Sequence, residues 1–234
     1  MNMGKIGLLS LSLMLSSLSY SELVEVYTWK AFPGKTNEMV SLFSEAKAIH
    51  EKYGASISIV AQGTGSTQEI DYVMRWDSPQ DWGSSLDKMA AATAGKEWQE
   101  FMAKANANPL GEMVASNAGA NMDFSKTASD FDGNFVYGVW VWKPAPGRTA
   151  EMIQSAMESE KIHEELGAQV EIYQETVGGT GMMHYVMMWK NHSDWADSVV
   201  AMNASKKWAE YLAEQDPNVS TLMASHRGQT LVAQ

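Results

Sequence analysis

The chain has 234 residues, 45% of them hydrophobic and 19% charged, with no cysteine and a formal net charge of −11. That composition belongs to a folded protein and excludes disordered and collagen-like chains, while the acidic balance excludes a nucleic-acid or anionic-membrane surface, which needs basic patches. Without cysteine there is no disulfide framework, thiolate nucleophile, zinc ribbon, iron–sulfur cluster or bacterial lipid anchor.

Residues 1–21 differ from the rest. Lys5 precedes the apolar run from Ile6 to Leu18, and Ser19-Tyr20-Ser21 stands before the charged Glu22. A run of about 13 residues is too short to cross a bilayer, which takes roughly 20 in a helix, and the small residues fit a cleavage site after Ser21. The segment therefore predicts a signal peptide, with the mature protein in a periplasm or secreted and free of the membrane after cleavage.

Residues 23–30, rich in β-branched and aromatic types, predict a strand that ends in the Pro33-Gly34 turn. Thr36 is placed to cap a helix whose apolar positions Met39, Phe43, Ala46, His50 and Tyr53 recur at helical spacing until Gly54 stops it. Two strands, 56–62 and 69–76, join across the hairpin Gly63-Thr64-Gly65-Ser66-Thr67. A second helix starts at Ser78-Pro79 and runs, broken at Gly95, to about residue 105, and a last strand covers about 112–117.

The same order then recurs, because residues 26–89 align without a gap on residues 139–202, with 25 of the 64 pairs identical. The pairs include Trp29 with Trp142, His50 with His163, Tyr72 with Tyr185, Trp76 with Trp189 and Trp82 with Trp195. After a three-residue deletion, Trp98 falls on Trp208 and Phe101 on Tyr211. The reading is a signal peptide at 1–21, a first unit at 22–118, a linker at 119–134 and a second unit at 135–234. Strand, helix, strand, strand, helix, strand is the ferredoxin-like unit of an α+β protein.

The stretch Lys30-Ala31-Phe32-Pro33-Gly34-Lys35, the helix end Ile49-His50-Glu51-Lys52-Tyr53-Gly54, the strand Tyr72 to Trp76 followed by Asp77-Ser78, and Glu97-Trp98-Gln99-Glu100-Phe101 resemble the dimeric α/β-barrel superfamily, and within it the NipSnap-like branch. The resemblance spans nearly the whole mature chain, twice. It implies that two βαββαβ units pack sheet to sheet into a pseudo-twofold barrel with the helices outside. Members of the superfamily include haem-degrading and antibiotic-biosynthesis monooxygenases, chlorite dismutases and proteins without known activity, so the fold leaves function open. Haem-degrading relatives place a Trp at the end of the third strand and a His about ten residues later. Trp76 and Trp189 match the Trp, but Leu86 and Val199 stand where the His belongs, so haem degradation is not expected.

No G-x-S-x-G elbow, H-E-x-x-H helix, Walker loop or dinucleotide G-x-G-x-x-G occurs, and the Gly-rich turns at 63–67 and 178–181 lead into strands, as hairpins do. Glu160 and His163 have the E-x-x-H spacing of a di-iron ligand pair, but Lys47 replaces the Glu in the first unit, so no metal is assigned. His50 and His163, each four residues before a helix-ending Gly, are expected to serve the helix terminus structurally.

Side chains alternate faces along a strand, and on the third strand one face is shared between units, Ile70, Tyr72, Met74 and Trp76 against Met183, Tyr185, Met187 and Trp189. The other diverges: Glu69, Asp71, Val73 and Arg75 against Met182, His184, Val186 and Met188. The shared apolar face is expected under the helices and the divergent face inside the barrel. Met182, His184 and Met188 offer copper-type ligands, although Met used as packing is the commoner case.

The expected ligand site is the barrel interior, built from Tyr27, Trp29, Trp140 and Trp142 on the first strands, Glu171 and Tyr173 on the second strand of the second unit, and Asp71, Arg75 and His184, with His184 replacing Asp71 so that the two ends differ in charge. The expected function is an exported barrel, monomer or homodimer, that binds a small aromatic or apolar ligand without a cofactor. A cofactor-independent oxygenase-like enzyme and a structural or assembly protein are the alternatives, and no catalytic residue is assigned. N-terminal sequencing of exported protein should begin at Glu22 or within a residue or two of it, whereas an intact chain starting at Met1 in a membrane fraction refutes the signal peptide.

Overall fold

The computed structural model describes residues 22–93 and 96–232; the predicted signal segment lies outside them. The first half consists of β1 (Leu23–Ala31), α1 (Thr36–Lys52), β2 (Ser56–Gln62), β3 (Ile70–Trp76), α2 (Pro79–Thr93), α3 (Lys96–Ala107) and β4 (Gly111–Asn121). The second repeats that order as β5 (Val136–Pro144), α4 (Thr149–Glu165), β6 (Gln169–Glu175), β7 (Met183–Trp189), α5 (His192–Ala204), α6 (Lys206–Glu214) and β8 (Ser220–Val232).

Local chemistry accounts for the element ends. Helix α1 buries Met39, Phe43, Ala46 and Ile49, a stripe at three- and four-residue spacing, and the chain leaves it at Gly54 with φ of 101°. The Ser78 hydroxyl accepts the Asp81 N–H at 3.1 Å ahead of α2. Thr36 does not cap α1 as expected: it is the first helical residue, and Lys35, at the N-cap, supplies no side-chain cap.

The eight strands form one closed antiparallel barrel in the order β1-β3-β2-β8-β5-β7-β6-β4. Within each half three pairings are local. The last strand of each half then crosses over: β8 pairs with β2, and β4 pairs with β6 through Gly119↔Glu175, Ala120↔Gln174 and Asn121↔Tyr173. Glycine makes both crossings fit. A Cβ on Gly119 would lie 2.6 Å from the Tyr173 ring and 2.9 Å from the Gln174 carbonyl, and one on Gly228 would collide with the Ala61 carbonyl and sit 2.6 Å from the Tyr137 hydroxyl.

Rotating the strand order by half a turn superposes β1 on β5, β3 on β7, β2 on β6 and β4 on β8 with every direction kept. The approximate twofold axis therefore runs along the barrel, and equivalent residues face each other at one height. Three apolar layers follow: one between α1 and the outer face of the first half, one beneath α4 in the second, and one inside the barrel.

The expected linker is shorter than its sequence implies, because residues 119–121 belong to β4. Gly-Ala-Asn reads as a turn in isolation, but only small side chains tolerate the approach of β6. What remains is docked: Ala128 donates its N–H to the Asp77 carboxylate at 2.8 Å, Lys126 reaches Glu164 at 2.6 Å, and a 3-10 turn, Ala128–Phe131, buries Phe131 against the barrel interior. No helix among the described residues is long and apolar enough to cross a membrane.

Expressed alone, residues 22–121 lose the strands that cover β2 and the end of β4 and expose the interior apolar layer. Light scattering after size exclusion should find dimers or aggregates, and a well-behaved monomer of that fragment would contradict the closure described.

Candidate functional site

Two kinds of cavity among the described residues bear on the expected site. The first is the barrel interior, about 110 Å³, lined by alternate residues of the strands. At the level of Val24 and Arg75, paired in register, the Arg75 guanidinium is buried with two carboxylates. It donates from Nη2 to Glu171 at 2.9 Å and lies 3.2 Å through Nε from Glu22, over the Phe131 ring at 5.3 Å. Asn121 donates to the other Glu22 oxygen at 2.8 Å. Burial and the nearby Glu171 carboxylate push Glu22 up from 4.5 to about 8, against the pull of Arg75.

Four residues along β1, at the level of Thr28 and Asp71, the interior carries two further polar groups on opposite walls. Asp71 accepts from Thr28 at 2.7 Å and from Gln62 at 3.0 and 2.9 Å, and burial raises its pKa. Across from it His184 is bonded on both ring nitrogens, Nδ1 to the Tyr173 hydroxyl at 2.9 Å and Nε2 to Glu175 at 2.8 Å, and it stacks on Tyr173 at 16°.

The second kind is a pair of clefts between helices and the outer sheet face. The first, about 480 Å³, lies between α1–α3 and strands β1 and β3; the second, about 470 Å³, lies under α4–α6. Each holds a histidine from the long helix bonded to a tyrosine from the third strand: His50 Nδ1 to Tyr72 at 2.6 Å, and His163 Nδ1 to Tyr185 at 2.7 Å. Trp98 leans on His50 and stacks on Phe101; Trp208 leans on His163 and stacks on Tyr211. Burial lowers both imidazoles from 6.5 to about 4, which leaves them neutral at pH 7, and it raises both phenols.

The expected interior set divides in two. Asp71, Arg75 and His184 do line the interior, as the divergent face of the third strand implies, and so do Glu171 and Tyr173 of the second strand. Tyr27 and Trp29 do not: they point outward into the first cleft, and Trp140 and Trp142 into the second. The reason is register, since Tyr27 pairs with Tyr72 and Trp140 with Tyr185, and directly paired residues share a face. Nor does the Asp71 to His184 exchange separate the ends of the barrel. The twofold runs along the axis, so those residues oppose each other across it, and the difference between ends comes from Arg75, Glu22 and Glu171.

His50 and His163, read from sequence as helix-end cations, are cleft residues. Their recurrence together with Tyr72, Tyr185, Trp98 and Trp208 was the signal that could have placed them there. Glu160 faces Lys126 at 3.8 Å instead of joining His163 in a ligand set, and no group of three His, Asp or Glu suited to a metal occurs among the described residues. Both His184 ring nitrogens are engaged in hydrogen bonds, to Tyr173 and Glu175. Leu86 lines the first cleft with an aliphatic side chain, so the residues there do not fit the haem ligation of the degrading relatives.

Glu22 has a folded-state pKa above its unfolded value, so it favours the folded state fully below about 4.5 and withdraws that support as pH rises through about 8. Replacing Arg75 by the Met found at the equivalent position 188 leaves two buried carboxylates without a cation. Arg75→Met should cost about 3–5 kcal/mol in urea unfolding, with a smaller loss at pH 5 than at pH 9; a loss independent of pH contradicts the charge cluster.

No family model matches the chain, and no curated protein matches it in sequence. Solved structures do. A candidate monooxygenase from Fusobacterium nucleatum subsp. nucleatum has a TM-score of 0.60 at 11% identity over 92% of this chain and 94% of that one. A candidate monooxygenase from Lactobacillus acidophilus gives 0.53 at 9% over 90% and 93%, and a candidate chlorite dismutase gives 0.53 at 10% over 91% and 95%. Likeness at such identities concerns the backbone: the chain has the dimeric α/β-barrel fold, closed within one polypeptide.

Proposed function

We propose that this chain is an exported binding protein that takes a small aromatic or apolar ligand in each of its two helix–sheet clefts. The observation that carries the reading is the pair of clefts of about 480 and 470 Å³, each with a neutral His–Tyr pair among Trp, Met and other aromatic side chains. Small-molecule sites occupy roughly 300–1,000 Å³ and combine an apolar lining with a few polar groups. The interior, at about 110 Å³, is below that range and its polar atoms are largely engaged with one another, so the expected ligand moves from the interior to the clefts. Membership of the NipSnap-like branch and a periplasmic or secreted location belong to the same proposal, supported by the Pro-Gly, His-Glu and Trp motifs and by the leader-like residues 1–21.

A second reading, a cofactor-independent oxygenase acting on an electron-rich aromatic, is favoured by the fold likeness to two candidate monooxygenases. Binding ranks ahead of it because imidazoles at about 4 are weak bases at neutral pH, whereas a general base works best with a pKa near the working pH.

Calorimetric titration with indole-3-ethanol should saturate at two molecules per chain. Ala46→Met should remove one site and Ala156→Met the other, since each alanine lines one cleft, and Tyr72→Phe should weaken the first about tenfold, one hydrogen bond's worth. Absence of binding at either cleft refutes the reading in favour of a structural role. Oxygen uptake with a hydroquinone should stay at the protein-free rate; protein-dependent uptake moves the assignment to the enzyme.

A further inference from the structure

The two clefts share a His–Tyr pair and a Trp but differ in charge. Glu25, on the helix-facing side of β1, is the one carboxylate lining the first cleft, and no Lys or Arg lines it among the described residues. Its oxygens accept from two neutral donors, the Tyr27 hydroxyl at 2.7 Å and the Trp82 indole N–H at 2.8 Å. The donors fix the carboxylate without cancelling its charge. At the equivalent place in the second cleft stands Gly138, where a Cβ would lie 2.7 Å from the Trp140 ring. There the aromatic ring fills the space the carboxylate takes in the first. The second cleft's own acid, Asp216, is half-exposed and paired with Arg148 at 2.7 Å.

A carboxylate in an aromatic, poorly solvated cavity interacts with a counter-charge more strongly than one in water, and rings presenting their faces attract cations as well. Trp29, Phe43, Tyr72 and Trp98 are the aromatic side chains that line the first cleft. The other titratable groups there are His50, Tyr27 and Tyr72. Burial holds His50 neutral at pH 7 and keeps both phenols protonated, so the three add neither a competing cation nor a second anion to the cleft.

We infer that the clefts are not equivalent and that the first selects an organic cation, an amine on an apolar or aromatic body, through Glu25, while the second takes an uncharged ligand. This rests on the proposal that the clefts are the ligand sites. Selection by charge at one of two otherwise similar sites is a difference of affinities produced by a single side chain.

Three probes of one shape test it by calorimetry at pH 7: tryptamine, indole-3-ethanol and indole-3-propionate, a cation, a neutral molecule and an anion. Tryptamine should occupy the first cleft at least tenfold more tightly than indole-3-ethanol, and indole-3-propionate more weakly than either. Ala46→Met should remove the high-affinity tryptamine site and Ala156→Met should leave it. Glu25→Gln, which keeps an acceptor for one of the two donors, should erase the amine preference while indole-3-ethanol still binds at the second cleft, and that residual binding reports an intact fold. Binding of indole-3-ethanol at both clefts with no preference for tryptamine overturns the inference and leaves the cleft proposal standing. A preference that survives Glu25→Gln also overturns it. If none of the three binds, the cleft reading fails and the inference with it.

Discussion

Closure of the barrel by two crossed strands is the constraint from which the rest follows. Each half could satisfy most of its backbone hydrogen bonds alone, but its second and last strands would keep open edges. Pairing β8 with β2 and β4 with β6 removes those edges. The approach is so close that glycine stands at both crossings, Gly119 against Tyr173 and Gly228 against Ala61 and Tyr137. Once the ring is shut much of the inner face is buried, and α1 to α6 pack on the outer face, which creates the clefts.

Burial of the inner face sets the terms on which charge can enter it. A buried guanidinium needs carboxylates, and Arg75 takes Glu171 from the opposite half of the chain together with Glu22. Neither half could bury these groups alone. The two halves differ in a matched way: Ser58 stands where the second half has Glu171 and Met188 where the first has Arg75, so the pair occurs once across the axis. The same holds higher in the barrel, where Gln62 and Asp71 on one wall answer Glu175 and His184 on the other. These groups are closed into local networks, which is what a packed interior requires and what leaves them little capacity for a ligand.

The outer face behaves differently. There His50 and His163, Tyr72 and Tyr185, Trp98 and Trp208 are kept at matching places, and space several times that of the interior lies beside them. Similar sites in one chain let a single substitution on the rim or wall retune one without disturbing its twin. Glu25 against Gly138 is such a difference, with the Trp140 ring accommodating the loss of the side chain.

Much of this was legible in the sequence. Strand and helix periods located the elements to within a few residues, and the offset between halves gave their common order. The alternation along 70–76 separated the face under the helices from the face inside the barrel. The sequence did not reveal how first strands lie against third strands, because alternation assigns two faces without saying which is which. Alternation alone therefore leaves Tyr27 and Trp29 free to lie inside, although their recurrence as Trp140 and Trp142 marks them as members of the shared, outer set. Registers such as Tyr27↔Tyr72 decide the matter, and a shift of one residue would exchange the faces. Residues 119–121 read as linker because their strand character comes from β1 and β6, neighbours more than fifty residues away. The histidines read as helix caps because a helix end is visible locally, whereas the tyrosine that holds each ring and the burial that keeps it neutral come from the sheet beneath. Sequence by itself determined the elements, their common order in the two halves and the composition of each face; tertiary structure alone decided which faces meet and which charges end up paired, because those depend on contacts between residues far apart in the chain.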